Sequence, residues 1–229
     1  MQQEERTGPR DGIREEIIAF AEENPVDVQL IEEMGEFTTR KAASAWVARH
    51  EAAGELKCVG TKRNKQGRKV DRVYCNGWNP KEDNLEHEVI GSRIRRIFAT
   101  FDVHRGQRVG EFHADMRMTD GTYNWDFEVD RGSMKKLKVL ARWRNYRQCE
   151  HAVLIVAAPK SGDGEARLRQ LMSWSESIKD IAFFTTLERL QTHGPHGRVW
   201  DFIGRESEPL KRVKKCADTV CQSHTQNAF

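Results

Sequence analysis

The sequence predicts a mixed α/β protein (α+β) of two domains: a small helical domain that ends in a basic β-hairpin, then a larger α/β domain. Apolar residues recur at helical spacing over the first fifty residues. The turn-forming run Asn76–Pro80 follows, and beyond it helical and alternating patterns succeed one another. With 38% hydrophobic residues, the 229-residue chain can build cores for both parts. We therefore place the domains at residues 1–79 and 80–205, with a basic tail at 206–229.

The first domain combines three predicted helices with a hairpin. The helices cover Ile13–Glu23, Val26–Met34 and Arg40–Ala53, and the β-compatible runs are Leu56–Val59 and Arg72–Cys75. From Lys62 to Arg72 the chain carries six cations and one acid, whereas its total net charge is only +3. Three helices and a basic hairpin are the pattern of a winged helix-turn-helix, in which the third helix enters the major groove and the hairpin lies against phosphates.

The candidate DNA-binding residues are the solvent-facing positions of the third helix and the cations of the hairpin. They are Thr39, Arg40, Lys41, Ser44, Arg49, Lys62, Arg63, Lys65, Arg68 and Lys69. A solvated basic loop, or a winged helix that serves protein interaction or dimerisation, is the alternative.

Acidic residues alternate along one predicted strand of the second domain. The predicted elements are helix Leu85–Phe98, strand Val109–Met118, a turn at Thr119–Thr122, strand Tyr123–Asp130, helix Ser133–Gln148, strand Ala152–Ala157, helix Arg167–Ile178 and strand Ile181–Thr186. Period-two alternation places Asp126, Glu128 and Asp130 on one face of their strand. Like charges this close repel, so cations or a metal ion must neutralise them, and the basic helix that follows can supply cations.

The arrangement of Asp115 on one strand and Glu128 and Asp130 on its hairpin partner resembles the PD-(D/E)xK nuclease fold, a restriction-endonuclease-like three-layer α/β domain. The resemblance implies that Asp115, Glu128 and Asp130 hold Mg²⁺ or Mn²⁺, which activates water for phosphodiester cleavage. Asp130 stands where that pattern has lysine, so Lys138 or Arg142 would supply the positive charge, and Glu88 or His87 would complete the site. The alternatives are a solvated acid face paired with the basic helix, and a His87 that only packs beside it.

Short motifs along the chain resemble the replication-relaxation family of plasmid and mobile-element proteins. They are Leu85-Glu86-His87, Ala114-Asp115, the block Phe127–Ser133, Tyr146, Phe184–Glu188 and Gly194-Pro195 to Trp200. With the winged helix in front, the resemblance extends to about Gly204, and Arg142 stands where the family has lysine. It implies a DNA-binding factor for replication, relaxation or transfer in a bacterial or archaeal cell.

The composition bears on the cellular location and on the partners to be expected. The chain has no run near the ~18 apolar residues that span a bilayer, and its polar start has no signal-peptide core, so we expect no membrane partner and a cytoplasmic location. Two hypotheses follow, a double-stranded-DNA-binding accessory protein that does not cut, and a metal-dependent endonuclease or nickase. A homodimer and other replication or transfer proteins are left open as partners.

Overall fold

Helical spacing of apolar residues builds the first unit around one core. The computed structural model describes residues 11–63, 68–106, 108–109, 112–119, 124–149, 152–160, 162–203 and 205–208. The chain divides into two compact units between Arg93 and Ile94, whereas the turn residues of the sequence lie at 76–80. The elements before the division are α1 (Asp11–Glu23), β1 (Val26–Asp27), α2 (Val28–Met34), α3 (Arg40–Ala52), β2 (Cys58–Arg63), β3 (Lys69–Tyr74) and the start of α4 (Leu85–Ile97).

The three strands of this unit form an antiparallel sheet with β3 in the centre. Ile17, Leu30, Trp46 and Leu56 are buried in the core between the helices and the sheet. Leu85 and Val89, at the start of α4, pack against Val73 of the hairpin. The first turns of α4 therefore belong to the first unit, although the sequence places residues after 79 in the second domain.

Two local predictions differ from the structure here. Val26 and Asp27 form β1 rather than the start of a helix, because the Asp27 carboxylate caps α2 by accepting a 2.7 Å hydrogen bond from the Leu30 N–H. The hairpin strands extend further toward their turn than predicted, because most of the added residues are polar and show no hydrophobic alternation that would identify a strand. Lys65 lies outside the described residues.

The second unit is built on a seven-stranded sheet. Its elements are β4 (Asp102–Arg105), β5 (Arg108–Val109), β6 (Phe112–His113), β7 (Met116–Thr119), β8 (Asn124–Asp130), α5 (Lys136–Cys149), β9 (Val153–Ala157), α6 (Gly164–Trp174), β10 (Ala182–Thr186), α7 (Leu187–His193), β11 (Trp200–Phe202) and β12 (Arg205–Glu208). The strand order of the sheet is β12-β11-β10-β9-β8-β7-β4. Strands β8, β9 and β10 are parallel, with α5 and α6 as the crossovers, and the other neighbouring strands are antiparallel.

Both faces of this sheet are covered. Ile155 and its neighbours on one face pack against Trp143 of α5 and Leu171 of α6. On the other face the ring of Phe127 lies 5.2 Å from that of Phe98 in an edge-on contact. The central strands are therefore buried on both sides, as parallel strands with crossover helices usually are.

The predicted strand Val109–Met118 is interrupted. Its first part and the preceding residue form β5 and β6, a separate two-stranded sheet, and Asp115 lies in a bend immediately before β7. Helix α5 begins at Lys136 and not at Ser133, because the chain first turns at Gly132 with a φ of 71°. Strand β12 pairs with β11 and extends to residue 208, beyond the predicted domain end at 205; residues 209–229 of the tail are not described.

In the part of the chain that the structure describes, every helix is too short or too polar to cross a membrane.

Gly77 gives a test of close packing in the first unit. A Cβ atom at Gly77 would lie 2.3 Å from the Glu22 carbonyl oxygen, whereas a Cβ at Gly12 in α1 would meet nothing within 4 Å. We expect Gly77→Ala to lower the free energy of unfolding by about 1–3 kcal/mol, because backbone must shift to accommodate the methyl group. Gly12→Ala is the matched control and should stabilise by about 0.5–1 kcal/mol. Urea denaturation of both variants measures this, and equal effects would contradict the close approach.

Candidate functional site

The acidic residues of β8 lie on a buried face of the sheet. Asp126 is paired in register with Val153 and Glu128 with Ile155, so they share the face that α5 and α6 cover. Asp126, Glu128 and Asp130 are only 1%, 5% and 5% exposed. The expectation of a solvated acid face is therefore wrong for these three residues, and each buried charge needs a partner.

Each of the three carboxyl groups is paired with an arginine, and each arginine comes from a different element. The pairs are Arg117 of β7 with Asp126, Arg142 of α5 with Glu128, and Arg167 of α6 with Asp130. Arg167 binds Asp130 in bidentate geometry, with its Nε 2.7 Å from Oδ1 and its Nη2 2.9 Å from Oδ2. The basic helix after β8 thus supplies one of the three cations, and Arg117 and Arg167 were missed from sequence.

Glu128 is the centre of the most connected group. Arg142 Nη2 lies 2.9 Å from each of its carboxylate oxygens, and the Tyr146 hydroxyl donates a 2.5 Å hydrogen bond to Oε1. The same Arg142 atom lies 3.7 Å from Asp115 Oδ1, and Asp115 Oδ2 accepts a 2.7 Å bond from the Val129 N–H. The structure therefore brings Asp115, Glu128 and Arg142 together, as the sequence predicted.

Burial controls the ionisation of this group. Burial, reinforced by the nearby Asp115 carboxylate, raises the pKa of Glu128 well above its usual 4.5 although Arg142 opposes the shift. Burial and the Glu128 carboxylate also raise the pKa of Tyr146 far above its usual range, so its hydroxyl keeps its proton and donates.

The donor atoms here do not form an open metal site. Both Asp130 oxygens accept from Arg167, and both Glu128 oxygens are engaged by Arg142. Within the described ranges, no three His, Cys, Asp or Glu side chains are grouped so that they could hold a metal ion. A divalent cation at Asp115 and Glu128 would have to take the place that Arg142 occupies.

The remaining candidate catalytic residues are Lys138, His87 and Glu88. Lys138 is exposed on α5, so of the two cations expected from this helix it is Arg142 that contacts Glu128. His87 and Glu88 lie on the part of α4 that belongs to the first unit, where both are partly buried.

Helix α3 presents the clearest candidate nucleic-acid surface. Ala43, Trp46 and Val47 are buried, and this phase of the helix leaves Lys41, Ser44, Ala45, Ala48 and Arg49 exposed. Thr39 is the N-cap, and its Oγ1 accepts a 3.2 Å hydrogen bond from the Ala42 N–H. The outward face thus has two cations and a hydroxyl among small side chains.

Several cations predicted to meet DNA form ion pairs within the first unit. Lys62 Nζ lies 2.5 Å from Asp27 Oδ2 and 3.2 Å from Asp71 Oδ2, and its side chain is 13% exposed. Arg40 Nη2 lies 2.8 Å from Asp71 Oδ1 and its Nη1 3.5 Å from Glu32. These contacts tie β2, β3 and the start of α3 together.

Asp27 is the buried acid of this network of ion pairs. It is fully buried, and it also binds Arg93 Nη2 at 3.0 Å. Burial alone would raise the pKa of Asp27, but Arg93 and Lys62 outweigh it and hold that pKa below its usual value. Arg63 pairs with Glu82 at 3.3 Å, and Arg63, Arg68 and Lys69 of the hairpin are exposed.

Comparison with protein-family models, with curated proteins and with solved structures finds no match to this chain.

The raised pKa of Glu128 predicts a specific dependence of stability on pH. The folded state binds this proton more tightly than the unfolded state, so the stabilising effect is complete below the usual pKa of 4.5 and is lost as pH rises through the folded pKa. We expect Glu128→Gln, which cannot ionise, to unfold with a flatter pH dependence above pH 4.5, since each tenfold difference in proton affinity between the two states is worth about 1.4 kcal/mol. Urea midpoints across this range measure it, with the exposed Glu15→Gln as control. A Glu128→Gln profile parallel to the wild type would contradict the raised pKa.

Proposed function

We propose that this protein is a DNA-binding accessory factor for replication, relaxation or mobilisation of a plasmid or mobile element. Its first unit would act as a winged helix on double-stranded DNA, and its second as a nuclease-like domain that does not cut. The outward face of α3 carries the proposal, because it combines groove-compatible size with positive charge.

The make-up of α3 supports entry into the major groove. Ala45 and Ala48 are exposed and have short side chains, so the backbone of the helix can come close to the base edges. Lys41 and Arg49, one near each end of this surface, reach phosphates or guanine edges, and Ser44 accepts or donates between them. Arg68 and Lys69 on the hairpin would meet the neighbouring backbone, as a wing does.

Lys62 and Arg40 have a different part in this proposal. Since both are held by Asp71, and Lys62 also by the buried Asp27, they position the wing against the start of α3 rather than contact DNA. The distance between wing and recognition helix is then set by ion pairs inside the domain, and the phosphate contacts fall to the exposed cations.

The charge balance of the second unit favours a role without cleavage. A nuclease of the resembled type needs carboxylate oxygens open to a hard divalent ion. Here Arg142 already neutralises Glu128 and approaches Asp115, and Asp130, at the position of the usual lysine, is bound by Arg167. The link to plasmid replication or transfer rests on the sequence motifs, above all on Phe127–Ser133.

A metal-dependent endonuclease or nickase is the second candidate. It is favoured by the convergence of Asp115 and Glu128 on one cation and by a small recess that Glu128, Asp130 and Arg142 help to line. Movement of Arg142 away from Glu128 would be required before Mg²⁺ or Mn²⁺ could bind.

DNA binding through α3 predicts a change in salt dependence. Lys41→Gln with Arg49→Gln should weaken binding to a labelled duplex and reduce the slope of log K against log salt by roughly 2, because each phosphate contact contributes about 0.9. The matched control is Arg169→Gln with Arg198→Gln, which removes the same charge from exposed positions of the second unit. Unchanged affinity and slope in the α3 variant would remove this helix from the interface.

Cleavage distinguishes the two candidates for the second unit. We expect supercoiled plasmid to stay intact with the wild-type protein in Mg²⁺ or Mn²⁺, because Arg142 occupies the carboxylate pair. The control is Asp115→Ala with Glu128→Ala, assayed beside it. Nicking by the wild type that disappears in this double variant would establish the endonuclease instead.

A further inference from the structure

The segment from Arg131 to Cys149, which includes α5, has charged side chains of positive sign only. It contains seven cations, Arg131, Lys135, Lys136, Lys138, Arg142, Arg144 and Arg147, and no acidic residue. The whole chain has a net charge of only +3, so this concentration is not a property of overall composition. From sequence, six of these cations, all except Arg131, were expected to neutralise the acids of β8.

In the structure, most of these cations do not bind an acid of β8. Arg142 binds Glu128, and Arg147 pairs with Asp180 at the other end of the helix. Lys136 Nζ lies 5.8 Å from the centre of the Trp174 ring, a cation–π arrangement. The other two acids of β8 are neutralised by Arg117 and Arg167, from outside the helix.

Lys135, Lys138 and Arg144 remain on the exposed side. Val139, Trp143 and Tyr146 are on the buried side of α5, whereas Lys138, Ala141 and Arg144 are exposed, as is Leu137 at 78%. Lys135 is exposed just before the helix begins. Exposed cations therefore stand at the start of α5 and along its solvent-facing side.

We propose, building on the DNA-binding function above, that this α5 surface is a second DNA contact of the protein, one that binds the phosphate backbone. A helix of fourteen residues is about 21 Å long, a length over which a duplex presents about twelve phosphate charges. Cations without acidic neighbours in their own element suit such a sequence-independent contact.

The same surface suits other partners less well. A second copy of this chain would bring like charges face to face across a two-fold axis, which is repulsive. A lipid surface needs several exposed apolar side chains for insertion, and Leu137 is the single large one that is exposed among the described residues of this unit. Nucleic acid uses the charges without requiring more apolar area.

The test is the salt dependence of binding to a labelled random-sequence duplex by the full-length protein. We expect Lys138→Gln with Arg144→Gln to reduce the slope of log K against log salt by roughly 2. The Arg169→Gln and Arg198→Gln variant, which removes the same charge, should keep the wild-type slope. The exposed α5 side chains can be replaced without disturbing the core, and an unchanged urea midpoint verifies this.

The outcomes separate this inference from the proposed function. An unchanged slope in the α5 variant, with loss in the Lys41 and Arg49 variant, overturns the second contact and leaves the α3 interface standing. Loss in the α5 variant alone supports the second contact and removes α3. Equal losses in the α5 variant and the charge control, or binding of polyglutamate as tight as that of the duplex at the same salt, overturn the assignment of this surface to DNA.

Discussion

The second unit depends on three buried carboxyl groups on β8, each of which is bound by an arginine. An ionised carboxylate in an apolar interior is unstable unless a cation binds it, and loss of one partner from such a pair typically costs about 3–5 kcal/mol. Because the three arginines come from β7, α5 and α6, each pair fixes one neighbouring element against the central strand. We infer that these pairs specify the register of the hairpin and the placement of the two helices, since apolar residues of similar volume could supply stability alone.

The first unit uses the same device with a different result. Buried Asp27 binds Lys62 of the hairpin and Arg93 of α4, and it also caps α2. Lys62, which the sequence predicts to contact phosphate, is therefore held by a buried carboxylate of its own unit. The number of cations in the hairpin therefore overstates the charge exposed at its surface, and in the proposed DNA complex the exposed part of α3 would carry more of the interface.

Periodic patterns in the sequence predicted the elements but not their partners. The helix around Trp46, the alternation along β8 and the buried strand Val153–Ala157 are strong local signals, and the structure contains all three. Pairing was harder. A two-residue turn at Asp120-Gly121 would place Arg117 opposite Asn124, whereas the longer connection places it opposite Asp126. This two-residue difference in register creates the Arg117–Asp126 pair. Arg167 lies 37 residues from Asp130 and meets it only through the crossover of α6, for which no local spacing is diagnostic.

Charge in this protein is sorted by burial, and that sorting bears on how its composition should be interpreted. The acids of β8 and Asp27 are buried, and each is paired with at least one cation. These pairs do not change the net charge of the chain, which is +3. The outward positions of α5 have cations whose own element contains no acid, and those of α3 have Lys41 and Arg49. A polyanion responds to local charge density within about 10 Å at moderate salt and not to a total over the chain. Two short cationic helix faces can therefore give a nearly neutral protein an appreciable attraction for phosphate, and the buried pairs hold those faces in place.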